Sequence, residues 1–198
     1  MLLSKKLFIS IIAVLSIGAI FTIDCFAYTL LTKEQALKEI FGENCEFVTE
    51  TVRLRGPMLQ RITDRLDGKL VYEQVGSESE VVAAHKSIDF YYAIENGEKI
   101  GVAIVDIQPG KWGPVDFFIA MDLKPRVKQV TVLRYMEKRG RPIARSSFMK
   151  QYEGKTTGDP LEVGKDITGI SGATISSRAA TFSVKKALVL VEECLLKK

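Results

Sequence analysis

The spacing of β-rich runs between residues 88 and 136 constrains the fold of this chain more than any other feature. "DFYYAIENGEKIGVAIVDIQ" holds two such runs around Asn96-Gly97, a pair that supplies the positive-φ residues of a tight primed hairpin turn. "PGKWGP" interrupts, then "VDFFIAMDL" and "VKQVTVLRYM" follow, joined by "KPR". Parallel neighbours need a crossover of a dozen or more residues, usually a helix, and the runs are too closely spaced to hold one. The pattern predicts an antiparallel sheet of about four or more strands and excludes a doubly wound parallel sheet.

Helical patterns flank these runs. "LLTKEQALKEIFG" opens on Thr32 as N-cap with Gln35 three residues on, continues through Ala36, Leu37, Ile40 and Phe41, and closes at Gly42. "CEFVTETVRL" alternates as a strand that Gly56-Pro57 ends, whereas the segment from Met58 to Glu80 has no clear pattern. "SSFMKQYEGK" reads as one or two helical turns capped by Ser146 or Ser147 and stopped at Gly154. Near the C-terminus Ala180, Val184, Leu188, Val191 and Leu195 recur every three or four residues, with Arg178, Lys185, Glu192 and Lys198 elsewhere around the wheel. The expected class is α+β: an antiparallel sheet with flanking helices and a long C-terminal helix.

The first thirty residues differ in kind. Lys5 and Lys6 precede the uncharged run Leu7 to Ile23, and Ala27 follows, a pattern that fits a signal peptide or an uncleaved membrane anchor. In either case the lysines stay in the cytoplasm and the remainder is exported. The expected organisation is a signal peptide or anchor over 1–27, a helix and strand extension over 28–87, and the main domain over 88–198. The protein is then extracytoplasmic, secreted or held at the outer face of the cytoplasmic membrane. Cys45 and Cys194 could pair there, and their spacing leaves open whether they meet.

Composition narrows the partners. The 46% hydrophobic content is enough for a sizeable core, and the surplus of +4, from 28 basic against 24 acidic residues, is not gathered into one block. That argues against nucleic acid, which calls for a clustered cationic face. The patches Lys124 to Lys128 and Arg134 to Arg145 read as solvated strand edges and loops. The lone His85 has no second His or Cys at ligand spacing, so neither metal nor haem is expected.

The stretch "SGATISSRAAT", residues 171 to 181, places small and hydroxyl residues directly before the long helix. A helix start has unpaired N–H groups and a partial positive charge, and small side chains let an anion such as phosphate approach the backbone. The plainer reading is a Gly turn followed by Ser176 or Ser177 as a cap. Both fit the residues.

"SGATISS", preceded by "GKDITGI" and followed by a helix, resembles the flavinylation motif of the FMN-binding domain family. That family includes flavin-carrying subunits of bacterial ion-pumping ferredoxin:NAD and NADH:quinone oxidoreductases and assorted exported flavoproteins. Its S-G-A-T threonine is joined to FMN through a phosphoester made by a separate exported flavin transferase, which uses FAD and a divalent metal. The resemblance implies this role for Thr174, with Ser171, Gly172, Ala173 and Ser177 around the phosphate and backbone N–H groups from Ile175 to Ser177 directed at it. "DFFIAMDLKPRVKQVTVLRYMEKRG" resembles the family's sheet, in which a strand ends at a Glu followed shortly by Gly near the flavin, here Glu137 and Gly140. Trp112 either stacks on the flavin ring or anchors its loop on the sheet. Two positions depart from the family pattern: Thr168 stands where an acid often precedes the Ser by three residues, with Asp166 close by, and "KRG" replaces Thr-Pro-Gly after the Glu. The second implies a branch other than the ion-pump subunits.

What the resemblance implies is an exported electron-transfer flavoprotein with FMN on Thr174 and no catalytic residues of its own. Its partners would be the flavin transferase and redox proteins or a quinone-linked membrane complex, with membrane contact through residues 7–23. The alternatives are an exported module that holds FMN or another phosphorylated ligand non-covalently, and a structural domain with an ordinary capped helix.

Overall fold

The computed structural model describes residues 28–72, 87–111, 113–136 and 143–197. Leu7 to Ile23, His85, Trp112, Glu137 and Gly140 lie outside them. The predicted hairpin forms between β3 (Ser87–Glu95) and β4 (Glu98–Pro109), with Asn96 at φ +52° and Gly97 at φ +81°. β5 (Pro114–Met121) and β6 (Val127–Tyr135) continue the antiparallel meander. Two strands from the N-terminal region complete a six-stranded sheet in the order β1-β6-β5-β4-β3-β2: β1 (Tyr28–Thr29) on the outer side of β6, and β2 (Glu46–Arg53) beside β3. β5 lies near the middle with helices over both faces, which is why "VDFFIAM" is apolar at almost every position rather than alternating.

Alternate residues of the strands feed two cores. Phe90, Tyr92, Val102, Ile104, Phe117 and Ile119 face one side, under α2 (Gly56–Arg65), α3 (Ser146–Met149) and α4 (Thr174–Val191). Tyr91, Ala93, Ala103, Phe118 and Ala120 face the other, under α1 (Lys33–Phe41). Cys194 belongs to the first core and Cys45 to the second, so the sheet separates them, and both are buried free thiols. They do not pair.

Several element ends match the sequence reading and one does not. The capping box of α1 forms, with the Gln35 N–H donating to Thr32 Oγ1 at 3.2 Å and the Thr32 N–H to Gln35 Oε1 at 2.9 Å. Residues 56–65, which showed no clear pattern, form α2 with Pro57 in its first turn, where a missing N–H costs nothing. For α3 neither Ser146 nor Ser147 is the cap: Arg145 holds that position without a side-chain bond, and a 3₁₀ turn over Lys150–Tyr152 runs on to Gly154 at φ +78°.

α4 is buried more broadly than its apolar stripe implies. Asp106 and Gln108 lie on the face of β4 toward it, and Lys186 Nζ sits 2.7 Å from Asp106 Oδ1 with both side chains 2% exposed or less. Ser183 Oγ and Gln108 Nε2 donate to Asp106 Oδ2, and the Tyr72 N–H donates to Gln108 Oε1. At its C-terminal end the helix widens into a π turn, Glu192–Leu196, where Arg65 pairs with Glu192 and Glu193 and Arg61 with Glu193. Among the described residues no helix is long and apolar enough to cross a membrane.

Candidate functional site

Three segments converge at one end of the sheet: the β4–β5 turn, the end of β6 and the start of α4. Their close approach depends on two glycines. A β-carbon at Gly110 would lie 2.8 Å from the Gly113 carbonyl oxygen and 2.9 Å from Val115 Cγ2, and one at Gly113 would lie 2.8 Å from Met136 Sδ. Both contacts are too short for a side chain, so the turn packs tightly only with glycine at each place. Ser176 Oγ stands 3.7 Å from the same position at Gly110, which puts the first turn of α4 against the β4–β5 turn. Met136 is the last described residue before Glu137, so β6 delivers the segment 137–142 to this end.

A braced loop brings the chain into α4. The Asp166 carboxylate accepts from the N–H groups of Leu161 and Glu162 at 3.2 and 2.9 Å and pairs with Lys155 at 2.8 Å. Burial alone would raise this carboxyl, but the Glu162 N–H and Lys155 outweigh it and hold Asp166 below the usual carboxylate range. The carboxylate organises the loop, where Leu161 is held at φ +46°, and both its oxygens are engaged. Gln151, on the 3₁₀ turn after α3, grips Thr168 twice, accepting from its N–H at 2.8 Å and donating to its carbonyl at 3.2 Å. The residue standing in the family's acidic position is thereby fixed through its backbone.

The helix start itself has no side-chain cap. Ala173 is the N-cap residue, at φ −129° and ψ 38°, and Thr174 is the first helical residue. Ser177, one of the two expected caps, is fully buried and spans the turn before the helix: its Oγ accepts from the Ile170 N–H at 3.0 Å and donates to the Ala173 carbonyl at 2.9 Å. Ser176 is buried at 1% exposure. The capped-helix reading therefore fails in this structure, because both serines turn inward. Gly172 makes the sharp entry at φ +79°, with no atom within 4 Å of where its β-carbon would stand, so conformation rather than space selects glycine here.

Of the hydroxyls in the motif, those of Ser171 and Thr174 belong to exposed residues, and Ile175 is half-buried. The N–H groups of Thr174 and Ile175 have no acceptor among the described residues, and the first turn carries no acidic residue. The result is an uncapped helix start with an exposed alcohol at its positive pole. Behind it, Tyr152 is bonded to Thr181 at 2.9 Å and Thr181 Oγ1 donates to the Ser177 carbonyl, so α3 and its 3₁₀ turn fix α4 in place; burial pushes the Tyr152 phenol upward. Such a group can receive a phosphate: open N–H donors, small neighbours and helix polarity all favour an anion.

Known proteins resemble the chain in both sequence and fold. Residues 110–189, from the β4–β5 turn to the body of α4, match the sequence model of the FMN-binding domain. The fold is similar to the crystal structure of the NqrC-type component of the Na(+)-translocating NADH-quinone reductase from Parabacteroides distasonis, with 18% identity and a TM-score of 0.51 over 80% of this chain and 83% of that one. The crystal structure of Shewanella oneidensis NqrC is 14% identical with a TM-score of 0.49, over 78% of this chain and 84% of that one. No curated protein matches the sequence.

Proposed function

We propose, from the premise that residues 110–189 belong to the FMN-binding domain family, that this protein is a flavin-carrying electron-transfer subunit with FMN joined to Thr174 by a phosphoester. The observation that carries the reading is the state of the helix start: an exposed threonine at the first position of α4, uncapped and without nearby acid in the first turn, inside the matched segment. Bound FMN supplies the chemistry, taking and giving electrons one or two at a time. The chain's own residues do the holding. Thr174 provides the oxygen, the N–H groups of Thr174 and Ile175 face the phosphate, and Gly172 with Ala173 keeps the approach clear. The inward hydrogen bonds of Ser177 keep the turn from collapsing over the site. Glu137, Gly140 and Trp112 are proposed to stand near the ring, on segments that leave β6 and β4 at this end.

A covalent tether suits a protein outside the cytoplasm, where released FMN is lost by dilution. The modifying enzyme is a flavin transferase that uses FAD, and the redox partners are proteins of a quinone-linked membrane complex. Tyr28 pairs with Tyr135 beside the site, so an anchor ahead of β1 would hold the flavin end toward the bilayer. Expression with a flavin transferase tests the assignment. The wild type should gain the mass of an FMN adduct and give a fluorescent band after denaturing electrophoresis, and Thr174→Ala should give neither while melting within a few tenths of a kcal/mol of wild type, as exposed positions do. A yellow native protein with an unlabelled denatured band would establish non-covalent binding in its place.

A further inference from the structure

The first charge met along α4 is a cation, Arg178, one turn after Thr174. Helix polarity favours anions at this end, so a cation with no acidic residue before it is placed against the local rule. Arg178 is exposed and has no hydrogen bond or ion pair among the described residues. It borders a cleft of about 340 Å³ between the outer side of α4, the end of α2 and the loop 160–163. Both carboxylates on that cleft are engaged elsewhere: Asp67 pairs with Lys185 at 3.5 Å, and Glu162 with Lys165. Asp166 is committed to Lys155. The guanidinium is therefore an uncompensated charge with room to move.

Residues four apart on a helix stand about 5–6 Å apart at their β-carbons, on one face. Helical side chains also lean toward the N-terminus, so a long side chain at 178 covers the turn that begins at Thr174. We propose that Arg178 is a phosphate-binding residue of the attachment site, holding the phosphoryl oxygens of FAD while Thr174 is modified and those of the phosphodiester afterwards. This rests on the assignment of Thr174 above. In the transfer a bond forms between Thr174 Oγ and the FMN-side phosphorus of FAD. The bond from that phosphorus to the bridging oxygen breaks, AMP leaves with that oxygen, and the hydroxyl proton passes to a base of the transferase. No oxidation occurs. Charge gathers on the non-bridging oxygens as the bonds exchange, and a guanidinium meets two such oxygens with parallel N–H donors.

Steady-state flavinylation with purified transferase, FAD and Mg²⁺, followed by in-gel fluorescence, decides the matter. Arg178→Gln should lower kcat by about ten-fold or more, as expected for loss of a charge-assisted hydrogen bond, with the KM for the protein substrate and the melting temperature unchanged. Arg178→Lys should fall between Gln and wild type, and Arg178→Glu should be slowest. Equal rates for wild type and Arg178→Gln would overturn the proposal and leave the Thr174 assignment standing. So would equal slowing in all three variants, or a loss confined to the KM for the protein, since these point to shape or to docking of the transferase. An unlabelled wild type would refute Thr174 as the acceptor and Arg178 with it.

Discussion

Thr174 and Ser177 are three residues apart and have opposite parts. Thr174 is exposed at the first helical position, where a substitution removes only an alcohol that faces water. Ser177 is fully buried, and its one hydroxyl satisfies the Ile170 N–H and the Ala173 carbonyl together. We expect Ser177→Ala to cost about 1–3 kcal/mol in denaturant unfolding, because the Ile170 N–H loses its acceptor in a partly buried place. The same variant should also slow flavin attachment, because the turn that presents Thr174 loosens; a variant with reduced stability and unchanged labelling would show that Ser177 braces the fold alone. The serines read from sequence as caps or phosphate ligands thus divide by burial, and a string of small polar residues carries no record of which way each one points.

At the scale of elements, the contact between α4 and β4 holds the site in register with the sheet. Lys186 and Asp106 form a dry ion pair at its centre, with Ser183 and Gln108 completing the carboxylate's bonds. Burial holds the Lys186 amine below its ordinary value in spite of the carboxylate beside it. Removing one partner leaves the other buried and uncompensated, so Lys186→Met should destabilise by about 3–5 kcal/mol. Adding Asp106→Leu should restore part of that loss, and a double-mutant cycle by urea unfolding measures how much. Helical periodicity found the apolar stripe of α4 and missed this pair, since a lysine in a wheel diagram reads as a solvated face. The strands were easier to read: Asn96-Gly97 and the short gaps between β-rich runs fix a local hairpin chemistry that tertiary context has little room to override.

For the whole molecule, stability depends on acid through the clamp that joins α2 to the C-terminal turn. Glu193 is 1% exposed at its side chain and meets Lys197, Arg61 and Arg65. Lys197 foremost, with the two arginines, draws Glu193 to about 2 against the opposing effect of burial. A carboxylate whose value falls on folding adds stability above its ordinary range near 4.5, and that stability is lost as pH falls toward the folded value. Thermal melts should therefore drop steeply between about pH 5 and 2, and Glu193→Gln should be less stable at neutral pH and flatter across that window. The clamp joins residues about 130 positions apart, and nothing short of the folded chain shows that they meet.

The amino-acid sequence by itself determined the antiparallel meander, the capping box of α1, the long final helix and the motif at its head, because turns, caps and periodicities act over a few residues. Tertiary structure alone decided that Cys45 and Cys194 lie on opposite sides of the sheet, that β1 and β2 supply its edges, and that Lys186 is buried against Asp106. It also decided which hydroxyls of "SGATISS" face outward, since that depends on the β4–β5 turn packing against one side of the helix start and leaving the other open.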